Sequence, residues 1–204
     1  MKTAARLLLL SLACAGLAAC SSPKAAEQSP PDMQAMMENW TKAMTPGPQH
    51  AHLAQSVGTW EGTVTMWMDP SMPPSVSKCT TVITSVMGGR YLQGTTNGLM
   101  NMGEASAPFE GMGLYGFDNV QKKFQSVWID NMGTGMMTGV GDLSADGKVL
   151  TWTMTMADPM TGKITTSREV DTQIDANTQV MEMFTVGPDG KEFRTMEIRY
   201  ARKK

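Results

Sequence analysis

The chain has 204 residues, with 17 Lys and Arg against 19 Asp and Glu, a formal charge of −2, and only three cysteines. The signs are interspersed, so there is no basic stripe to follow a phosphate backbone, and a nucleic-acid binder is not expected. The length and a hydrophobic share of 41% suit one domain with a core of its own.

Residues 1–19 carry Lys2 and Arg6, an apolar run and then small residues. This is the layout of an export signal, and the apolar run is too short for a spanning helix. Leu17-Ala18-Ala19-Cys20 resembles the lipobox of bacterial lipoproteins. The resemblance implies cleavage before Cys20 and acylation of its thiol, so that the membrane partner is reached through a lipid anchor. Ser21 follows Cys20 where an Asp would be the retention signal, which implies the outer membrane, facing the periplasm, if the host is Gram-negative. Cys79 is then the last thiol, no internal disulfide can form, and the domain must hold together through its core.

Residues 20–32 are rich in Ser, Pro and Ala and read as a tether. Residues 33–56 are expected to form an N-terminal helix and a linker. Asp32 can cap the helix, Met33, Met36, Met37, Trp40 and Met44 recur at helical spacing, and Pro46-Gly47-Pro48 stops it. Its apolar face should rest on the domain or on a membrane surface.

From residue 57 to 204 the period becomes two. Turn signals separate about ten runs, near 59–68, 76–87, 90–99, 109–117, 123–130, 134–143, 148–157, 163–174, 178–186 and 192–202. Short connections favour antiparallel hairpins, and ten up-and-down strands most simply close into one barrel, with a two-sheet sandwich as the alternative. The fold class is therefore all-β: an antiparallel up-and-down barrel with an N-terminal α-helix. Alternation places Trp60, Val64, Met66 and Met68 on one face of the first strand, and Trp152, Met154 and Met156 on one face of the seventh. These seven side chains are the candidate ligand-binding wall. The ninth strand sets Met181 and Met183 against Val180, Glu182 and Phe184, and its inward face is ambiguous.

Gly58-Thr59-Trp60 resembles the Gly-x-Trp signature of lipocalins and related calycin barrels. The resemblance implies that Trp60 plugs one end of the barrel and that a basic residue near the end of the last strand, Arg199 or Arg202, stacks across it. The segments "TPGPQHAHLAQSVGTWEG", "MWMDP", "MGGRYLQG", "FEGMGLYGFDN", "DNMGTG", "DPMTGK" and "GPDGKEFRTMEIRY" together resemble the bacterial domain-of-unknown-function 1579 family. That implies a calycin-like barrel in secreted or envelope proteins, with no established activity and no catalytic residue to carry over.

Several motifs lead nowhere. "GMGLYG" at 111–116 is followed by a turn and another strand, whereas a dinucleotide site needs a helix starting there. His50 and His52 lack the Cys or His company of a zinc site. Asp130 stands without a visible partner carboxylate and reads as a turn cap. With no nucleophile and base to pair, an enzyme is not expected. The 21 methionines, with Met-x-Met at 66/68, 100/102, 154/156 and 181/183, can be read in two ways. Thioethers suit Cu(I), with His50, His52, Met66 and Met68 as alternative metal ligands. Without metal, Met-x-Met is what any methionine-lined barrel wall shows, and methionine recurs on adaptable binding surfaces. The leading expectation is an envelope lipoprotein that binds a small hydrophobic ligand without a cofactor. The alternatives are a copper-binding chaperone and a structural lipoprotein with a filled barrel and a protein partner outside.

Overall fold

The computed structural model describes residues 32–102, 105–187 and 189–204. The leader and the acylation site at Cys20 lie outside the described residues, as does the tether except for Asp32. Two helices, α1 (Met33–Met44) and α2 (Pro48–Ala54), precede ten strands. The strands are β1 (Gly58–Met66), β2 (Ser75–Val86), β3 (Tyr91–Met102), β4 (Ala105–Asp118), β5 (Lys123–Asp130), β6 (Met137–Leu143), β7 (Val149–Ala157), β8 (Ile164–Asp175), β9 (Thr178–Val186) and β10 (Glu192–Arg202). Each pairs antiparallel with its neighbours in sequence, and β1 pairs with β10, so the sheet is a closed barrel and not a sandwich. Closure leaves no strand edge free.

The closed register assigns every side chain to one side of the wall. Trp60 faces Arg202 and Thr81, Gly62 faces Tyr200 and Cys79, and Met66 faces Met196. Large inward side chains need small partners, and inward glycines supply them. A Cβ on Gly141 would lie 2.6 Å from the Trp152 ring, and one on Gly139 would lie 2.5 Å from Met154 Sδ. Gly111 and Gly113 of "GMGLYG" leave room in the same way for Trp128 and Tyr115. These glycines fit the core; they do not cradle a phosphate.

Three local features differ from expectation. The segment expected to be a linker contains α2, because Pro48 suits a first helical turn and His50 Nδ1 accepts the Gly47 N–H at 3.0 Å. Strands β3 and β4 run on to Met102 and start at Ala105, although this stretch is polar and glycine-rich, because each supplies the other's ladder partners. Finally, α1 does not rest on the barrel. Its face of Met33, Met36, Met37, Trp40 and Met44 is exposed, and Asn119 Nδ2 holds only its C-terminal end, through the carbonyls of Lys42, Ala43 and Thr45.

Candidate functional site

One end of the barrel is sealed. Leu53 of α2 joins Leu92, Phe124, Leu150, Trp152 and Met154 in the core. Trp60 is fully buried and its Nε1 donates to Ser56 O at 2.8 Å. The Arg202 guanidinium lies 4.1 Å from the centre of the Trp60 ring and donates to the carbonyls of Gln55, Val57 and Ala176. Arg202 thus fills the stacking place. Arg199 does not, because it sits an odd number of residues away, points outward and pairs with Glu197 at 2.7 Å. Gly58 has φ +141°, and a Cβ there would come 2.5 Å from Arg202 Nη1. Gly58→Ala is therefore expected to lower the unfolding free energy by about 1–3 kcal/mol, read from urea midpoints.

The histidines belong to this sealed end. His50 is buried edge-on to Phe117, and His52 meets Phe124 in the same way. Burial lowers the pKa of both. Because His50 Nδ1 accepts the Gly47 N–H, the neutral imidazole is the form the fold uses.

The opposite end is a mouth with a methionine lining. Met66, Met196 and Met183 occupy one inward row across β1, β10 and β9, each directly opposite the next. Met137 and Met156 also face in, Met154 lies buried below them, and Val64 and Met66 are half-buried. Met156 sits at the rim and is 39% exposed. Met68 is a correction: β1 ends at Met66, and Met68 lies in the following turn, 84% exposed. The proposed metal set of His50, His52, Met66 and Met68 is not brought together, since the histidines are at the sealed end and the methionines at the other.

Between the two ends the β8 side of the interior is polar. Ser167, Glu169 and Asp171 of β8 all face in, Glu169 opposite Trp152 and Met183, Asp171 opposite Leu150 and Met181. Trp152 Nε1 donates to Asp171 Oδ2 at 2.8 Å. Burial raises the pKa of Glu169 well above the usual carboxylate range, with the Asp171 charge adding to it, and holds Asp171 at about 6. Burial also raises the phenols of Tyr115 and Tyr200, with the two carboxylates opposing their ionisation. Cys79 faces the same space, and burial keeps it a thiol. Along the described strands, the only inward cation is Arg202, at the sealed end.

Sequence reasoning missed Glu169 and Asp171 because "SREVD" sets charge against valine, and valine is normally the inward partner. Here Arg168 and Val170 point out, fixed by pairing with Thr153 and Thr151. Asp130 faces in and accepts from Trp128 Nε1 and the Met132 N–H, so it both caps a turn and anchors an indole. Two open grooves of about 270 and 630 Å³ lie on the outer wall, the first beside Arg168, Phe184 and Glu192, the second beside Glu61, Lys78 and Arg199.

A closed antiparallel barrel of ten strands, with one end plugged by a Trp–Arg stack and a short helix, places the chain among the all-β barrel proteins. The chain belongs to the DUF1579 family, described as proteins of unknown function, whose profile matches residues 45–202. Among solved structures it is similar to the crystal structure of Rv2717c from M. tuberculosis. The identity is 16% and the TM-score 0.58, over 78% of this chain and 100% of that one; at that identity the likeness shows the fold alone. No curated protein matches the chain.

Proposed function

We propose that the barrel binds a small hydrophobic molecule through its methionine-lined mouth, without catalysing a reaction. The observation that carries this reading is the inward row Met66–Met196–Met183, at the end opposite the Trp60–Arg202 seal. Thioethers are apolar, polarizable and flexible, which suits a surface that must reshape around a guest. Mass spectrometry of natively purified protein should find an apolar molecule near one per chain. Met196→Asp is expected to weaken decanol binding at least tenfold. Protein that is repeatedly empty, and indifferent to decanol, would refute the reading.

The same row favours one second reading. Three thioethers on adjacent strands suit Cu(I) better than the set first considered, because they share one level of one face. Titration of Cu(I) against a competing chelator, with Met→Leu at 66, 183 and 196, separates the two readings: a Cu(I) site disappears, while decanol binding persists.

We also propose that the chain is an envelope lipoprotein acylated at Cys20. The exposed Met–Trp face of α1, which begins thirteen residues after that cysteine, is suited to lie in the headgroup region of a bilayer. Palmitate labelling should be lost in Cys20→Ala.

A further inference from the structure

Resting on the ligand-binding reading, we infer that the barrel's guest is a cationic amphiphile, an alkyl amine whose ammonium sits between Glu169 and Asp171 while its chain lies among the mouth methionines. The charge pattern of the interior is the first ground. Two carboxylates lie on one face of β8, two residues and about 7 Å apart along the strand, and no Lys or His of the described strands faces them. The inward titratable and charged groups from the other elements are Cys79 of β2, Tyr115 of β4, Asp130 of β5, and Tyr200 and Arg202 of β10. Arg202 is committed to three backbone carbonyls and the Trp60 ring. His50 and His52, on α2, pack against phenylalanine rings at the sealed end.

The second ground is independent of charge count. Glu169 is 9% exposed and points into the barrel. Among the described residues no hydrogen-bond donor reaches its carboxyl, on which burial and then the Asp171 charge act. Yet among the described residues no fully enclosed side-chain polar atom lacks a partner. The Glu169 carboxyl oxygens are therefore not fully enclosed, and on the inward side of the wall they keep acceptor positions free for a donor. Asp171 is different, since one of its oxygens already holds Trp152 Nε1.

A buried carboxylate without a counter-cation is strongly disfavoured unless it takes up a proton or gains a cation. An ammonium offers three donors and one positive charge. That matches the free acceptors of Glu169 and the remaining oxygen of Asp171. Directly opposite Glu169 stands Met183, the inner end of the methionine row, so a chain attached to that ammonium leads straight to the mouth. A fatty acid would instead bring a third carboxylate into a space where, along the described strands, the inward cation is Arg202, already committed at the sealed end.

Three ten-carbon probes, decylamine, decanol and decanoate, titrated calorimetrically into the purified full chain, test this. At pH 7.5 decylamine should bind at least tenfold tighter than decanol, and decanoate should not bind. Because an ammonium displaces the Glu169 proton, decylamine affinity should rise between pH 5 and 8 while decanol affinity stays level. Glu169→Gln, which keeps the shape and removes the charge, should bring decylamine within about threefold of decanol and leave decanol unchanged; Asp171→Asn should act in the same direction. Equal binding of amine and alcohol by the wild-type protein would overturn the amine inference and leave the ligand-binding reading standing. Failure of all three probes would overturn both.

Discussion

Trp60→Ala is expected to lower the unfolding free energy by about 3–5 kcal/mol, the range for deleting a large buried aromatic side chain. That is a large share of the 5–15 kcal/mol typical of a domain. Trp60 is 1% exposed and its removal acts at three places. The indole no longer fills the sealed end, Ser56 O loses its donor, and Arg202 loses the ring beneath it. Arg202→Ala should destabilise less, because its guanidinium is partly open to water, but it frees the carbonyls of Gln55, Val57 and Ala176 together. Arg202→Lys should recover little of this, since an ammonium cannot reproduce a planar fork that both stacks and bridges three acceptors. The double mutant should be less destabilised than the sum of the singles by about 0.5–2 kcal/mol, the coupling expected of a cation–π pair that is partly open to water. Urea unfolding at fixed pH measures all four corners. A loss below about 1 kcal/mol for Trp60→Ala would show that α2 seals the barrel without it.

The strand count and the closure were legible because the alternation of β1 and β7 is clean and each run ends in a turn residue. Trp60, Val64, Met66, Trp152, Met154 and Met156 all face in because parity along a strand does not depend on the rest of the fold. Met68 failed where parity has no force: the strand ends at Met66, and the Asp69-Pro70 turn has already begun to form. The choice between Arg199 and Arg202 is also one of parity, but it needs the inward face of β10. A bulge between Arg194 and Met196 resets that face, so only pairing with β1 settles it. The site itself was the least legible part. Reading "SREVD" from hydrophobicity turns Val170 inward and the carboxylates out, and only the ladder to β7 reverses this. A row such as Met66–Met196–Met183 has no sequence signature, because its members lie on strands from both ends of the domain that meet only when the barrel closes.

The inward carboxylates should also make stability depend on pH in the direction opposite to most acidic residues, and Asp171→Asn should remove part of that dependence. The folded state holds Asp171 at about 6, above the ordinary value near 3.9 for an unfolded chain. Between those values the native protein binds a proton that the unfolded chain has lost, so stability falls as pH rises through this window. The difference between these two values corresponds to on the order of 3 kcal/mol, with the penalty absent below about pH 4 and complete above about pH 6. Glu169, also raised by burial and by the Asp171 charge, contributes in the same direction. His50 and His52 act in the other sense: their lowered values mean that stability rises with pH up to the ordinary histidine value near 6.5. Asparagine keeps an oxygen for Trp152 Nε1, so the bond at 2.8 Å can survive while the charge is removed. Asp171→Asn should therefore match the wild-type protein near pH 4 and exceed it by on the order of 2–3 kcal/mol at pH 8, measured by urea unfolding at the two pH values. In the wild-type protein, decylamine should narrow that gap at pH 8 by supplying the missing positive charge, whereas decanol should raise both proteins equally. A variant less stable than wild type at pH 8 would mean that the Asp171 charge is already compensated inside the barrel, and that the interior has no need of a cation from outside.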